Sequence, residues 1–314
     1  MAQFNIGLHF SILVCFIFGC QVTSHKYKSL PLEPLQNHEM LLQKPQNFVD
    51  FQVIKVADWE APLSGLLDLS DPQTKLAKLE NKQEAISIYF YTIKHPKFGT
   101  YLIDSGIGES FTKGKENSLV SPLVESQMNF EKLKIYETTK KYLEKNKIQV
   151  KGIFYTHLHL DHVLGALEID PSVPFYVGPN EVTGKQFINL FVQGSTNRML
   201  GVNPELFQID INSNKQTINI IDFFGDQSFY ILVVPGHTPG SLAFLIPSKD
   251  GGHLVLGDTC HTRFGWIHQV IPGSFTSDPE TNRKSLSALK SISASYKPKY
   301  IYPGHQERIL STGP

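Results

Sequence analysis

The chain has 314 residues, 41% of them hydrophobic and 18% charged, which suits one enzyme-sized globular domain with a large core. Lys plus Arg and Asp plus Glu both total 29, so the formal net charge is zero. That balance lacks the electrostatic footprint of a nucleic-acid-binding protein, and no nucleic-acid partner is expected.

Ile6 to Gly19 is apolar almost throughout, apart from His9 and Ser11. The run is short for a bilayer span and has the length of a signal peptide's apolar core, so residues 1–20 read as an export segment. Ile17-Phe18-Gly19-Cys20 resembles a bacterial lipoprotein processing site, which would leave a lipid on Cys20. Two features depart from that pattern: no Lys or Arg precedes the run, and Phe18 is bulky. An uncleaved amino-terminal anchor is the alternative. The expected location is therefore outside the cytoplasm, on a bacterial membrane, in the periplasm or at the cell surface. Residues 21–47, with scattered Lys, Gln and Pro, read as a linker tethering a domain over 48–314. Cys15, Cys20 and Cys260 offer no disulfide framework, and Cys260 reads as a buried small apolar group rather than a ligand or nucleophile.

Strands are predicted over Phe51–Val56, Ala85–Ile93 and Thr100–Ile103. The last runs into a turn at Asp104-Ser105-Gly106. A helix is predicted over Lys132–Lys145, with Leu133, Tyr136 and Leu143 sharing a face. Gly152–Thr156 reads as a buried strand that opens into Thr156-His157-Leu158-His159-Leu160-Asp161-His162. Imidazole nitrogens and carboxylate oxygens are good donors for zinc and its neighbours, and this segment packs them densely. Side chains two apart on an extended chain point the same way, so His157 and His159 can face one ion. A helix through Val163–Leu167 would bring Asp161 and His162 round to a second. A lone histidine is more often a surface or satisfied core group, but a cluster this dense points to metal. Residues Asn180 to Asn214 are the least patterned and are expected to form a lid with a short helix.

Three later loops repeat one arrangement of apolar strand, glycine and ligand-type residue. Phe229–Val234 breaks into Pro235-Gly236-His237-Thr238-Pro239-Gly240-Ser241, His253–Leu256 into Gly257-Asp258-Thr259, and Tyr300–Tyr302 into Pro303-Gly304-His305. Each alone is an ordinary turn. Together they place seven candidate ligands at strand ends, where loops on a rigid sheet carry chemistry. Between the last two, Asp278-Pro279-Glu280 is a strong helix start, with Leu286 and Leu289 facing the core.

Taken in order, these motifs resemble the metallo-β-lactamase superfamily of metallohydrolases from about Phe48 onward. The resemblance implies an α/β fold, an αββα sandwich of two mixed β-sheets flanked by helices. It also implies that His157, His159 and His237 hold one divalent metal, that Asp161, His162 and His305 hold a second, and that Asp258 bridges them. Asp104 would support a ligand. Zinc is the expected metal, with iron or manganese also suited to such donors. Two ions sharing an aspartate and a water would yield a bridging hydroxide near neutral pH. Asp161 and His261 are the expected catalytic side chains.

The run from Gly257-Asp258-Thr259 through Pro272-Gly273-Ser274-Phe275 to Gly304-His305 is similar to the acyl-homoserine lactonase branch. That implies a small-molecule lactone or ester substrate. Such lactonases often carry a tyrosine three residues after the bridging aspartate; here His261 stands there, either as a hydrogen-bond donor or at the rim. Phe264, Trp266 and Phe275 are candidates for an apolar acyl pocket. The alternatives are a glyoxalase-II-like thioesterase, a B3-like β-lactamase, whose subclass lacks the bridging aspartate, and a mononuclear iron persulfide dioxygenase. A non-enzymatic surface protein that merely binds metal is the blandest alternative.

Overall fold

The computed structural model describes residues 19–42, 45, 47–113, 119–211 and 218–311. Most of the expected export segment therefore lies outside the described residues. The first strands are β1 (Cys20–Gln21), β2 (Lys28–Pro31), β3 (Asp50–Pro62), β4 (Gln83–His95), β5 (Gly99–Ile103), β6 (Lys134–Ile135), β7 (Val150–Phe154) and β8 (Phe175–Val177). They are followed by β9 (Lys185–Gln186), β10 (Leu206–Asp210), β11 (Asn219–Asp222), β12 (Tyr230–Val233), β13 (Leu242–Ile246), β14 (His253–Val255), β15 (Tyr300–Tyr302) and β16 (Ile309–Leu310).

Period-two alternation assigns these side chains to layers. In β4, Ile86, Ile88 and Phe90 point to the outer face, while Tyr89, Tyr91 and Ile93 point inward. In β12 and β13 both faces are apolar: Leu232, Ala243 and Leu245 face outward, and Ile231, Phe244 and Ile246 face inward. Strands buried on both sides need that continuous apolar run. A large sheet of order β2-β10-β8-β7-β5-β4-β3-β6 and a smaller one of order β11-β12-β13-β14-β15-β16 result. Both mix parallel and antiparallel pairs.

The inner faces meet in an aromatic layer where Phe154 lies 4.9 Å from Phe229 and 6.0 Å from Phe244. Each such ring adds roughly 1.5–3 kcal/mol on burial, so this layer locks the sheets together. Helix Pro279–Tyr296 covers the outer face of the smaller sheet through Leu286, Leu289 and Ile292. Helices Thr139–Lys145 and Asn189–Leu200 lie on the large-sheet side, with Leu143, Met199 and Leu200 in its core. The architecture is the expected αββα sandwich.

Three expectations are corrected. Residues 21–47 do not form a free linker: β1 pairs with β9, β2 adds parallel to β10 at the sheet edge, and Leu41 is buried under the smaller sheet. The domain thus begins near residue 20 rather than 48. The helix expected over Lys132–Lys145 is only Thr139–Lys145, because Lys134–Ile135 pairs with β3 and the Thr138 side chain caps Lys141 N. The helix expected through Val163–Leu167 is instead a single turn, Leu160–Val163, then a 3₁₀ turn, Ala166–Glu168. The short helix expected within 180–214 is present as the 12-residue Asn189–Leu200, and β10 follows it.

Candidate metal centre

All seven candidate ligands emerge where strands end at one rim of the sandwich. His157 follows β7, His237 follows β12, Asp258 follows β14 and His305 follows β15. The glycines before the last three have steric reasons. Gly236 has φ +136° and a side chain there would collide with the Asn282 backbone, while Gly257 is left-handed at φ +51°. A Cβ on Gly304 would strike the Asp258 carboxylate. Close backbone approach and left-handed turns are what glycine permits.

The donors fall into two groups that meet at one oxygen. His237 Nε2 lies 3.2 Å from His157 Nε2 and 2.9 Å from His159 Nδ1. Asp258 Oδ2 lies 3.3 Å from His162 Nε2 and 3.2 Å from His305 Nε2. It also lies 3.7 Å from His157 and 3.5 Å from His237. His305 Nε2 is 3.2 Å from Asp161. Within each set, His157–His159–His237 and Asp161–His162–Asp258–His305, one donor atom per residue lies within 4.8 Å of the others.

Supporting contacts fix the rings. Asp104, held at φ +55°, accepts from Thr156 N at 2.8 Å and pairs with His162 Nδ1 at 2.8 Å. With Nδ1 so engaged, Nε2 of His162 is left to face the cavity, the usual device for orienting a ligand histidine. His305 Nδ1 is 3.2 Å from the Ser87 carbonyl, and its Nε2 likewise turns inward.

Charge divides the two groups. Burial and the crowd of neighbouring rings hold His157 and His237 well below the ordinary imidazole value of 6.5. Burial takes His159 down to about 4. Burial also opposes charge on His162 and His305, but carboxylates outweigh it: Asp258, Asp104 and Asp161 hold His162 well above 6.5, and Asp258 and Asp161 lift His305 to about 10. Burial would raise Asp161 and Asp258, yet the adjacent imidazolium groups hold both below the usual carboxylate range.

A pH dependence follows for the metal-free protein. A base whose folded pKa lies below its unfolded one contributes full stability above the unfolded value and loses it as pH falls. The His157–His159–His237 set should therefore make the chelated protein's Tm drop between pH 6.5 and about 4. His162 and His305 have raised values, so their contribution is complete below 6.5 and fades only as pH climbs toward about 10. Thermal melts in chelator across this range test the sign, and a flat profile below 6.5 would refute it.

Glu181, which nothing in the sequence singled out, ties the two histidine loops together. Its buried carboxylate accepts from Leu158 N at 2.7 Å, Thr238 Oγ1 at 2.6 Å and Gly240 N at 3.0 Å. It thus clamps the loop of His157 and His159 to that of His237. Glu181→Ala would leave two buried backbone donors, Leu158 N and Gly240 N, unpaired and leave Thr238 Oγ1 with Ser241 as its remaining partner, and it is expected to cost about 2–4 kcal/mol and weaken metal retention. Glu181→Gln, which keeps an acceptor oxygen, should fall between. Paired measurements of Tm and metal content decide it, since an unchanged Ala variant would show the clamp to be idle.

His261 reaches the same cavity: its Nδ1 lies 3.3 Å from the Leu66 carbonyl and its Nε2 3.0 Å from Asp258 Oδ2. It forms a third donor group with His237 and Asp258. Cys260 is buried against the Thr262 carbonyl, its thiol pushed up to about 12 by burial, and belongs to none of these groups. Of the three expected pocket aromatics, only Phe275 stands near the site, 6.3 Å from the His261 ring and 41% exposed. Trp266 is a core residue under Lys290, and Phe264 packs on His268. Those two are not pocket residues: the helix Arg263–His268 turns them away.

The donor chemistry fits metal. Neutral imidazole nitrogens packed 2.9–3.2 Å apart gain little from one another, and Asp258 Oδ1 is buried without a hydrogen-bond partner among the described residues. Cations held among these atoms would satisfy them.

Comparisons with known proteins agree with this geometry. An N-acyl homoserine lactonase, AttM, of Azorhizobium caulinodans is 30% identical over 144 residues, 46% of this chain and 53% of that protein. A hydroxyacylglutathione hydrolase of Prochlorococcus marinus is 23% identical over 175 residues, 55% of this chain and 57% of that protein. The chain thus spans about half the length of these curated relatives. The solved structure of a quorum-quenching N-acyl homoserine lactone hydrolase shares the fold, with TM-score 0.62 and 18% identity over 83% of this chain and 94% of that one. The family model for the metallo-beta-lactamase superfamily matches residues 84–305, a span holding all seven candidate ligands, and the chain belongs to that superfamily.

Proposed function

We propose that the protein is a dinuclear metal-dependent hydrolase that opens a lactone or cleaves an ester. The observation that carries this reading is the single oxygen of Asp258, which faces both donor groups. In it, His157, His159 and His237 would hold one ion, Asp161, His162 and His305 the other, and Asp258 would serve both. Bound metal of this kind, with zinc the first choice for such donors, lowers the pKa of water toward neutrality and polarises a carbonyl. No serine or cysteine nucleophile is then needed, in keeping with the inert, buried Cys260. Asp104 keeps His162 turned into the cavity. Asp161, partly exposed beside His305, would take the proton of the attacking water and pass it to the leaving oxygen as the bond breaks.

The similarity to AttM favours a lactone, and that to the hydroxyacylglutathione hydrolase keeps a thioester as the second reading. His261 packs near both His237 and Phe275, and its Nε2, which faces Asp258 Oδ2, would be free to donate to a substrate oxygen once metal engaged that carboxylate. Elemental analysis followed by a panel of lactones, thioesters, phosphotriesters and a chromogenic β-lactam tests the assignment. Two ions per chain with lactone turnover is the expected result; one iron with oxygen uptake would overturn it. His261→Phe is expected to keep both metals and lose about a hundredfold in kcat. Loss of metal instead would make His261 a ligand.

The apolar run of residues 6–19 supports export to a membrane, with Cys20 as the attachment point. Among the described residues, no helix is long and apolar enough to cross a bilayer.

A further inference from the structure

Residues 20–24 lie docked along helix Asn189–Leu200. Asn189 Nδ2 donates to the Cys20 carbonyl at 3.0 Å and Gln193 Nε2 to the Gln21 carbonyl at 2.8 Å. Asn197 accepts from Thr23 Oγ1 at 2.6 Å and Ser24 N at 3.0 Å. Spaced four apart, these three amides share one helix face and fasten the incoming strand to it. Beside that seam, four large apolar side chains within five residues are turned to solvent: Phe187 is 49% exposed, Ile188 51%, Leu190 45% and Phe191 43%. The Phe187 and Phe191 rings pack edge to face, and the exposed Lys185 adjoins them in the chain.

The chain reaches this seam from residues 6–18, which are apolar apart from His9 and Ser11. If, as proposed above, that run stays in a membrane as an anchor or is replaced by a lipid on Cys20, the bilayer meets the protein at residue 19 or 20, and the inference rests on that attachment. No slack follows, because β1 begins at Cys20. A domain held so closely must lay an adjoining face on the lipid. Among the described residues an apolar face lies there, formed by Ile188, Leu190 and Phe191 with Phe187 packed beside them and a lysine at its border, a composition suited to the headgroup boundary.

We propose that this face rests in the surface of a lipid bilayer. The placement holds for any of the reactions considered above. To test it, Phe187→Trp and Phe191→Trp are made in the full chain, along with Leu76→Trp. Leu76 is 79% exposed and ends the short helix Pro72–Leu76 between β3 and β4, a separate stretch of the chain from 187–191. Each protein is reconstituted into phosphatidylcholine and phosphatidylglycerol vesicles whose acyl chains carry bromine. Indoles at 187 and 191 are expected to lose about half or more of their added emission, and that at 76 almost none. Equal quenching at all three positions would overturn the proposal, as would failure of the full chain to associate with vesicles. It would also fall if the indole at 187 were already shielded without lipid and unaffected by bromine, for then a second copy or the chain's own amino-terminal run covers the face.

Discussion

Asp258→Ala is expected to strip the protein of metal and lower hydrolysis by about three orders of magnitude, the scale of the several kcal/mol that metal stabilisation of developing charge supplies. The Asp258 carboxylate faces His157, His162, His237, His261 and His305. Without it, only Asp161 and Asp104 would remain to balance the positive charge favoured on His162, and only Asp161 that on His305. Asp258→Asn separates charge from shape: it keeps the volume and one oxygen but should still lose the shared position. Metal content by elemental analysis and turnover of the best panel substrate are to be read on the same preparations. Normal metal content with normal turnover in either variant would end the two-ion reading.

Gly304→Ala is the second large effect, and it reaches the site without touching a ligand. The added methyl group would enter the Asp258 carboxylate and press on the Gly257 carbonyl. Asp258 sits in a buried turn whose backbone is fixed by the left-handed Gly257, so it cannot simply move aside. Overpacking of this kind costs about 1–3 kcal/mol. The larger consequence is misplacement of the shared oxygen, expected to weaken metal binding by about a hundredfold, as loss of a ligand's positioning typically does. Equilibrium titration with zinc against a competing chelator reads the affinity, and thermal melts read the stability. Wild-type affinity would mean that the turn yields more easily than its packing implies.

Much of the site was legible because its demands fall on the backbone. A ligand at the mouth of a sheet needs a buried strand behind it and a tight turn beside it, and apolar runs ending in glycine record both. The helix start at Asp278 was legible for a similar local reason, since its side chain accepts from Thr281 N at 3.0 Å. What escaped notice depends on long-range pairing. β1 and β2 join their sheets through main-chain hydrogen bonds, which place no demand on side-chain type, so a polar, proline-containing stretch looked like a tether. Glu181 escaped for the opposite reason, because a lone carboxylate carries no motif and its value lies in donors 23 and 57 residues away. Trp266 misled because an aromatic near a ligand loop reads alike whether it lines a pocket or fills a core.

The order of the ligands along the chain bears on how the protein matures. His157 and His159 come early, His237 and Asp258 later, and His305 last, just after the strand that pairs with β14. A chain still emerging from the ribosome could present the three-histidine set well before the second set exists, and ion uptake would then occur in two instalments. In the two-ion reading, the second ion would have to wait until β15 had closed against its neighbour. Its capture would then be a molecular certificate that the carboxy-terminal strand is in register, and a misfolded copy would betray itself by carrying only one.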